Sequence, residues 1–388
     1  MTNALDAVIA KLNQQYKKEV VKKGTSQIYV DKIPFSSPRA NYMTYGGVPI
    51  GKGTEFLGTE GGGKTTSALD ITAQAQKKAK REYNKELGEL RDEIDALEEK
   101  GNKSDAKRLD KLKKEYGTLN ERGPRRCVYL DLENTLDEEW AEKIGVDLDE
   151  LYLMKPDDET AEQVLQMVLD LIDSGMVLLL VIDSLPMLVS QKVFEEDLSK
   201  KQYGGIAGVV TDFCGKVSPM LSRNHTALVI INQIREDLNN PHNQFHTSGG
   251  RALRHFYSLR MFFRKGSFIN EANEEVPLRT ADPSGNMVDI TIVKTKVCKP
   301  DRRVGQYTIR YDLAIDVVQD TVFMALNYKL IHKSGAWYSL VNEDGEIIED
   351  AEGELKFQGM PKLLAYLRDD DDMFDEIYDA VHAKMAEV

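Results

Sequence analysis

The amino-acid sequence predicts an α/β fold: a mostly parallel central sheet, an inserted antiparallel helical hairpin and a small α+β C-terminal domain. Three observations carry this reading. Short, apolar, β-rich runs alternate with stretches of helical period. A glycine-dense turn at 58–66 joins a strand-like segment to a helical one. A highly charged segment at 81–122, carrying a heptad-spaced apolar stripe, interrupts the alternation.

Taken in chain order, residues 4–22 place Leu5, Val8, Ile9, Leu12, Tyr16 and Val20 at helical spacing. A terminal helix that short needs a surface to pack on, in its own domain or on a neighbouring subunit. A Gly/Pro/Ser-rich stretch (34–53) leads to the strand-like TEFLG (54–58), the glycine-dense turn, and the helical SALDITAQAQKKAK. In 81–122, 23 of 42 side chains are charged. Within that segment Tyr83, Leu87, Leu90, Ile94 and Leu97, then Leu109, Leu112, Tyr116 and Leu119, form two stripes separated by GNKSD. Two stripes and a break predict a helical hairpin with a narrow seam, read as a solvated insertion in preference to a partner-binding or DNA-gating arm. CVYLDL (127–132), VLLLVID (177–183) and TALVIIN (226–232) suit buried parallel strands. YSLRMFFR (257–264), MVDITIVK (287–294) and QYTIRYD (306–312) alternate more and suit antiparallel strands at one side. The texture turns mixed and acidic from about Ala314. The expected divisions are 1–38, a helix and linker; 39–313, the core with the hairpin at 81–122; and 314–388, the small acidic domain.

The 388 residues, 41% hydrophobic and 30% charged, are enough for one large core with appendages and exclude a fibrous or broadly disordered chain. The longest apolar run, Met176 to Ile182, falls far short of a membrane span, and the start lacks a block long enough for a secretory signal. Three widely spaced cysteines argue against a disulfide framework and for a reducing compartment, the cytoplasm. The net charge of −13 does not exclude nucleic acid, because 15 acidic and 4 basic residues lie from Glu343 onward and the body is nearly neutral. Within that body two basic clusters stand out, Arg251/Arg254/Arg260/Arg264/Lys265 and Lys294/Lys296/Lys299/Arg302/Arg303.

GTEGGGKTT (58–66) fits the phosphate-loop pattern: Gly, four residues, Gly-Lys-Thr, after a strand and opening a helix. Gly58, Gly61, Gly62 and Gly63 let backbone N–H groups turn inward around phosphates, with Glu60 and Thr66 in the same loop, and the helix N-terminus adds its dipole. Lys64 supplies a cation to the β/γ-phosphates, and Thr65 a hydroxyl to Mg²⁺. Asp183, closing LLLVID, stands where a carboxylate holds that Mg²⁺ through water; taken alone it would merely begin a turn. Glu133, just past VYLDL at the same sheet edge, can deprotonate a water, or else serve as a cap or surface carboxylate. Gln233, at the end of TALVIIN, can reach a γ-phosphate, or simply end its strand.

Together these residues resemble the RecA family of homologous-recombination ATPases, including its phage UvsX-like members. The likeness covers roughly residues 40–340. It runs through GVPIGKGTEFLGTEGGGKTT (47–66), VYLDLENTLDEEWAEKIGVDLDEL (128–151), VIDSLPML (181–188), VIINQIR (229–235), TSGGRALR (247–254), IVKTKV (292–297) and LIHKSGAWYS (330–339). The resemblance implies a RecA-like ATPase core and ATP with Mg²⁺ as cofactors. It implies Glu133 as general base, Asp183 as the Walker B residue and Gln233 as the coupling between γ-phosphate and DNA. It also implies that Trp140 stacks on adenine with Asp137 beside the base, and that Lys294 and Lys296 reach a neighbour's phosphates across a subunit boundary. It implies two disordered DNA-binding loops, about 192–205, which holds Lys200 and Lys201, and about 234–250; Arg235, Thr247, Ser248, Gly249 and Gly250 in the second, and Arg251 just beyond it, offer donors suited to phosphates. The helix at 4–22 would dock on the adjacent subunit. The chain departs from the family pattern in its three consecutive glycines at 61–63, in His255, and in the hairpin, which suggests a phage origin. The implied function is an ATP-dependent recombinase, filamentous on single-stranded DNA and pairing it with homologous duplex, with a single-strand-binding protein and a mediator as partners. The runner-up is a RecA-fold helicase or translocase.

Overall fold

The computed structural model describes residues 4–16, 21, 30–100, 105–195, 206–236, 245–247, 249–277, 279, 282–342, 345–350 and 353–387. The chain divides into two compact units, Met1–Asp31 and Lys32–Val388. The first holds α1 (Ala4–Gln15), whose Leu5 and Val8 are exposed.

The second begins with β1 (Lys32–Ile33), α2 (Pro38–Thr44) and β2 (Val48–Pro49), which pairs antiparallel with β1. Ser37 caps α2 through its hydroxyl, and Pro38 pre-sets the first turn. Ile33 and Phe35 are buried in the main core, so residues 32–37 are part of that core and not a linker. The strand β3 (Gly53–Gly58) feeds the glycine-dense turn and then α3 (Lys64–Lys100). This helix is the main departure from expectation: the phosphate-loop helix and the first arm of the hairpin form one 37-residue rod. At 1.5 Å per residue it is about 55 Å long. No proline interrupts it, and Gly88 alone is too weak a breaker to end it. The second arm, α4 (Ala106–Arg122), returns along it and buries Leu112 and Leu119 at the seam where α3 buries Ile94. Ion pairs Arg108–Glu93, Lys113–Glu98 and Arg122–Glu86 bridge the arms.

The α/β alternation then follows: β4 (Arg126–Asp131), α5 (Glu138–Ile144), β5 (Leu151–Met154), α6 (Ala161–Asp173), β6 (Val177–Asp183), the short α7 (Gln191–Glu195), α8 (Ala207–Asn224) and β7 (Ala227–Glu236). After β8 (Phe245–Thr247) and α9 (Gly250–Phe256) come β9 (Leu259–Ile269), β10 (Glu275–Val276), β11 (Gly285–Thr295), β12 (Val304–Arg310) and β13 (Ala314–Ile315). The central sheet runs β13-β12-β11-β9-β3-β7-β6-β4-β5. The pairs among β3, β7, β6, β4 and β5 are parallel. The expected antiparallel group needs one correction: β9 is parallel to β3 and antiparallel to β11, so the sheet changes sense between β9 and β11. Alternate side chains of each strand supply two cores. Cys127, Tyr129 and Val181 pack with α3, while Val128, Leu130 and Ile182 pack with α6 and α8.

Beyond β13, α10 (Val317–Asn327), β14 (Ile331–Ser334), β15 (Trp337–Leu340), β16 (Glu349–Asp350), β17 (Gly353–Glu354), β18 (Lys356–Gln358), α11 (Met360–Asp369) and α12 (Asp371–Ala386) build an α+β layer around a third cluster. Val322, Leu340, Leu363 and Val381 lie at its centre.

Candidate active site

Parallel strands deliver their C-terminal ends to one edge of the sheet, where ligands gather in open α/β folds. Here β3 ends at Gly58, β4 at Asp131, β6 at Asp183, and Gln233 sits level with Gly58 on the adjoining β7. The loop from Gly58 to Lys64 is wedged against β9. A Cβ on Gly58 would lie 2.0 Å from the Phe263 carbonyl oxygen, and one on Gly63 would lie 2.9 Å from Val288 Cγ2. Gly61 meets no neighbour, but its φ of +64° is left-handed. Packing therefore demands glycine at two of these positions and backbone conformation at a third, alongside the phosphate chemistry read from the sequence.

Lys64 is buried, its Nζ donating to the carbonyl oxygens of Thr59 at 2.6 Å and Gly58 at 3.3 Å. Burial lowers its pKa, against the pull of Asp183, Glu133 and Glu60. Thr65 Oγ1 donates to Asp183 Oδ2 at 3.0 Å, and Tyr129 Oη donates to the same oxygen at 2.7 Å. Burial raises the Asp183 pKa, and these two hydroxyls oppose the rise. Glu133 Oε1 accepts from Gln233 Nε2 at 3.0 Å and from the Ser184 hydroxyl. The phosphate-loop lysine, the hydroxyl–carboxylate pair, the candidate base and the candidate sensor thus share one edge. A cradle of glycines beside a cation, with a hydroxyl touching a carboxylate, fits a polyphosphate and a hard divalent cation. Among the described residues no three His, Cys, Asp or Glu side chains cluster for a metal.

Asp137 caps α5, its carboxylate accepting from Trp140 N at 3.0 Å. The half-buried Trp140 donates from Nε1 toward Thr66 Oγ1 at 3.4 Å, which brings the indole beside the phosphate loop. Lys294 and Lys296 act within the chain. Lys294 Nζ donates to the Arg254 and His255 carbonyl oxygens and Lys296 Nζ to that of His255 at 2.7 Å, so both hold the last turn of α9. Burial and the adjacent Lys296 lower Lys294 to about 8.

The second expected loop is not structureless at its ends. Ile234, Arg235 and Glu236 extend β7 and pair with Thr247, His246 and Phe245 of β8, because the strand continues past Gln233. Gly249, at φ +93°, is buried and Gly250 opens α9 with Arg251 exposed. Residues 237–244, Ser248, Lys200 and Lys201 lie outside the described residues.

Sequence reasoning missed the contacts of Tyr129 and Ser184, which no local pattern marks. It also missed a buried ion pair under the site, where Glu55 accepts from Arg260 Nε and from Asn232 Nδ2 at 3.0 Å. A glutamate in the apolar strand TEFLG was the available signal.

The family model of the RecA N-terminal domain matches residues 3–83 and 115–316. The chain belongs to the RecA family. It is 31% identical to Protein RecA of Thermus aquaticus over 358 residues, covering 90% of this chain and 84% of that protein. It is 29% identical to Protein RecA of Aquifex pyrophilus over 382 residues, covering 96% and 89%. With Protein RecA of Paracoccus denitrificans it shares 28% over 388 residues, covering 98% and 89%. These relatives are bacterial, and none of them supports a phage origin. The RecA match breaks off across 84–114, which is most of the hairpin, so this segment is an insertion relative to the family. No helix among the described residues is long and apolar enough to cross a membrane.

Proposed function

We propose that this RecA-family protein is an ATP-dependent DNA recombinase that assembles as a filament on single-stranded DNA and pairs it with homologous duplex. The observation that carries the reading is the hydrogen bond from Gln233 to Glu133. It joins the candidate base to a strand that runs on, from the next residue, into the β7–β8 ribbon.

In this reading Lys64 and the loop N–H groups would hold the phosphates of ATP, with Mg²⁺ held by the Thr65 hydroxyl and, through water, by Asp183. ATP with Mg²⁺ supplies an activated phosphoryl group, and the chain's residues do the rest. Both donors to Glu133 fall on Oε1, which leaves Oε2 to take the proton from the attacking water. Gln233 transmits occupancy of the phosphate site along β7 to the residues proposed for DNA: Arg235, Thr247, Ser248, Gly249, Gly250 and Arg251, with Lys200 and Lys201 in the first loop. Trp140 would stack on the adenine, with Asp137 near the base. Lys294 and Lys296 serve the neighbouring copy's phosphates once α9 releases them, adding positive charge where the transition state needs it. A single-strand-binding protein and a mediator remain the proposed partners.

The test is homologous pairing. A labelled single-stranded oligonucleotide is incubated with ATP, Mg²⁺ and supercoiled plasmid of matched or unmatched sequence. Joint molecules are expected with the matched plasmid alone. DNA-stimulated hydrolysis without joint molecules would favour a translocase instead.

A further inference from the structure

The hairpin is an insertion whose outer faces the active site does not use. Seam residues Tyr83, Leu87, Leu90, Ile94 and Leu97 fix which side of α3 meets α4. The cross-arm contacts Tyr83–Asn120, Glu86–Arg122, Glu93–Arg108 and Glu98–Lys113 reach diagonally to either side of one antiparallel register, the register that sets Gly88 level with Gly117. On the outer face of α3, from base to tip, stand Lys85, Gly88, Asp92, Asp95 and Glu99. On the outer face of α4, at the same heights, stand Glu121, Gly117, Lys114, Asp110 and Lys107, while Lys111 lines the groove between the arms beside Glu86, Glu89 and Glu93. The signs oppose at three heights, Asp95 is level with Asp110 at a fourth, and glycine stands level with glycine.

The glycines are the second, independent observation. Each lies inside a helix, where glycine is the worst residue after proline. A Cβ on Gly88 or Gly117 would meet nothing within 4 Å, so the protein's own packing does not require either. Bare backbone on an open helix face is what a close helix–helix approach by another molecule uses. The charged residues on both faces are exposed. Lys85, Lys111 and Lys114 make i,i+4 pairs with Glu89, Glu115 and Asp110, of the exposed kind that exchange at little cost.

We infer that the hairpins of successive copies pack side by side, α4 of one against α3 of the next, with Gly117 against Gly88. The occupant is a second copy of this chain, because the two complementary faces belong to one hairpin and copies in a common orientation bring them together in antiparallel register. The inference rests on the filament reading above. Because α3 begins at Lys64, such a contact also ties the phosphate loop of one copy to the hairpin of its neighbour through a single helix.

The experiment uses the full chain carrying Cys298→Ser, since Cys127 and Cys214 are buried. Gly88→Cys and Gly117→Cys are introduced together and singly, and each protein is oxidised with ATP, Mg²⁺ and single-stranded oligonucleotide. The double variant is expected to give a ladder of covalent multimers that depends on ATP and DNA, with neither single variant passing a dimer. In parallel, Lys107/Lys114→Glu is expected to raise the protein concentration needed for half-assembly about tenfold, and adding Asp92/Glu99→Lys to restore it. Filaments visible by electron microscopy without a ladder would overturn the hairpin contact and leave the filament reading intact. Loss of strand exchange in the reversal without a ladder would assign the faces to a different protein and equally overturn it. If the unmodified chain forms no filament, both readings fall together.

Discussion

Glu133 is the side chain on which the chemistry turns, and its two donors make its role testable beyond simple loss. Replacing Glu133 with Gln removes the proton acceptor while keeping shape. DNA-stimulated hydrolysis should fall by ~10²–10⁴-fold with the KM for ATP little changed, and an unchanged rate would remove Glu133 from the mechanism. Ser184 acts one step back, as a positioning residue. Its hydroxyl donates to Glu133 Oε1 and so holds the orientation of the carboxylate. Ser184→Ala should therefore lower kcat with the KM for ATP little changed, while Ser184→Thr restores kcat. A kcat that stays at the native value would leave Ser184 a purely structural residue. Tyr129 does for Asp183 what Ser184 does for Glu133, through a 2.7 Å hydrogen bond in a site where burial already pushes the carboxyl up. Tyr129→Phe should weaken Mg²⁺, raising the half-saturating concentration in a hydrolysis titration by roughly ten- to a hundredfold, the worth of one hydrogen bond to a charged group.

At the scale of elements, the hairpin rests on little packing of its own. Among the described residues its seam buries only Ile94, Leu112 and Leu119, and its cross-arm ion pairs are exposed and individually weak. Leu112→Ala should open it, because truncating a buried leucine costs ~2–5 kcal/mol and so narrow a seam has little to spare. Limited proteolysis should then cut within 84–122 while nucleotide hydrolysis by the core persists; loss of both would mean that the hairpin and the phosphate-loop helix melt as one unit. Most elements were legible because their physics is local. VLLLVID has the length of its strand to the residue, since a strand buried on both faces is apolar throughout and ends at its first charge. The strand Leu151–Met154 was not legible: at the sheet's edge its Tyr152 and Leu153 are exposed, and the pattern of a buried strand is absent. The union of phosphate-loop helix and hairpin arm was hidden by a change of composition near residue 81, although no helix breaker stands there. Lys64, Asp183, Glu133 and Gln233 could be read because they occupy strand ends and a glycine-rich turn. Tyr129, Ser184 and the Glu55–Arg260 pair could not, since each depends on which strands lie side by side.

Across the whole molecule, two buried carboxyls join the start of the core to its end. Asp70, on the phosphate-loop helix, accepts from the Ser36 backbone N–H at 3.0 Å. Asp320, on α10, accepts from Ser37 Oγ at 2.5 Å and from Thr308 Oγ1 at 3.3 Å, with Arg39 at 3.5 Å. Residues 36–39 are thus pinned between the helix that carries Lys64 and the layer beyond residue 316. Desolvation raises Asp70 to about 6, against the Ser36 hydrogen bonds and Lys77, and raises Asp320 to about 7, against Arg39 and Ser37. An unfolded aspartate titrates near 3.9, so between that pH and about 7 the folded protein holds protons that the unfolded chain has released. The sign is then the reverse of a salt-bridged carboxylate. These two groups favour the folded state most at acid pH, lose that advantage as pH rises from about 4 to about 7, and contribute a constant penalty above it. Removing their charge should remove the slope. Urea unfolding of the native chain and of Asp70→Asn/Asp320→Asn at pH 5 and pH 8 isolates the effect, because all other titrating groups are common to both. The variant's stability relative to the native chain should be higher at pH 8 than at pH 5, by up to about 1.4 kcal/mol for each pH unit crossed by each group. A difference that is the same at both pH values would mean that the two carboxyls are ionised throughout, held by Arg39 and the serines strongly enough to offset their burial.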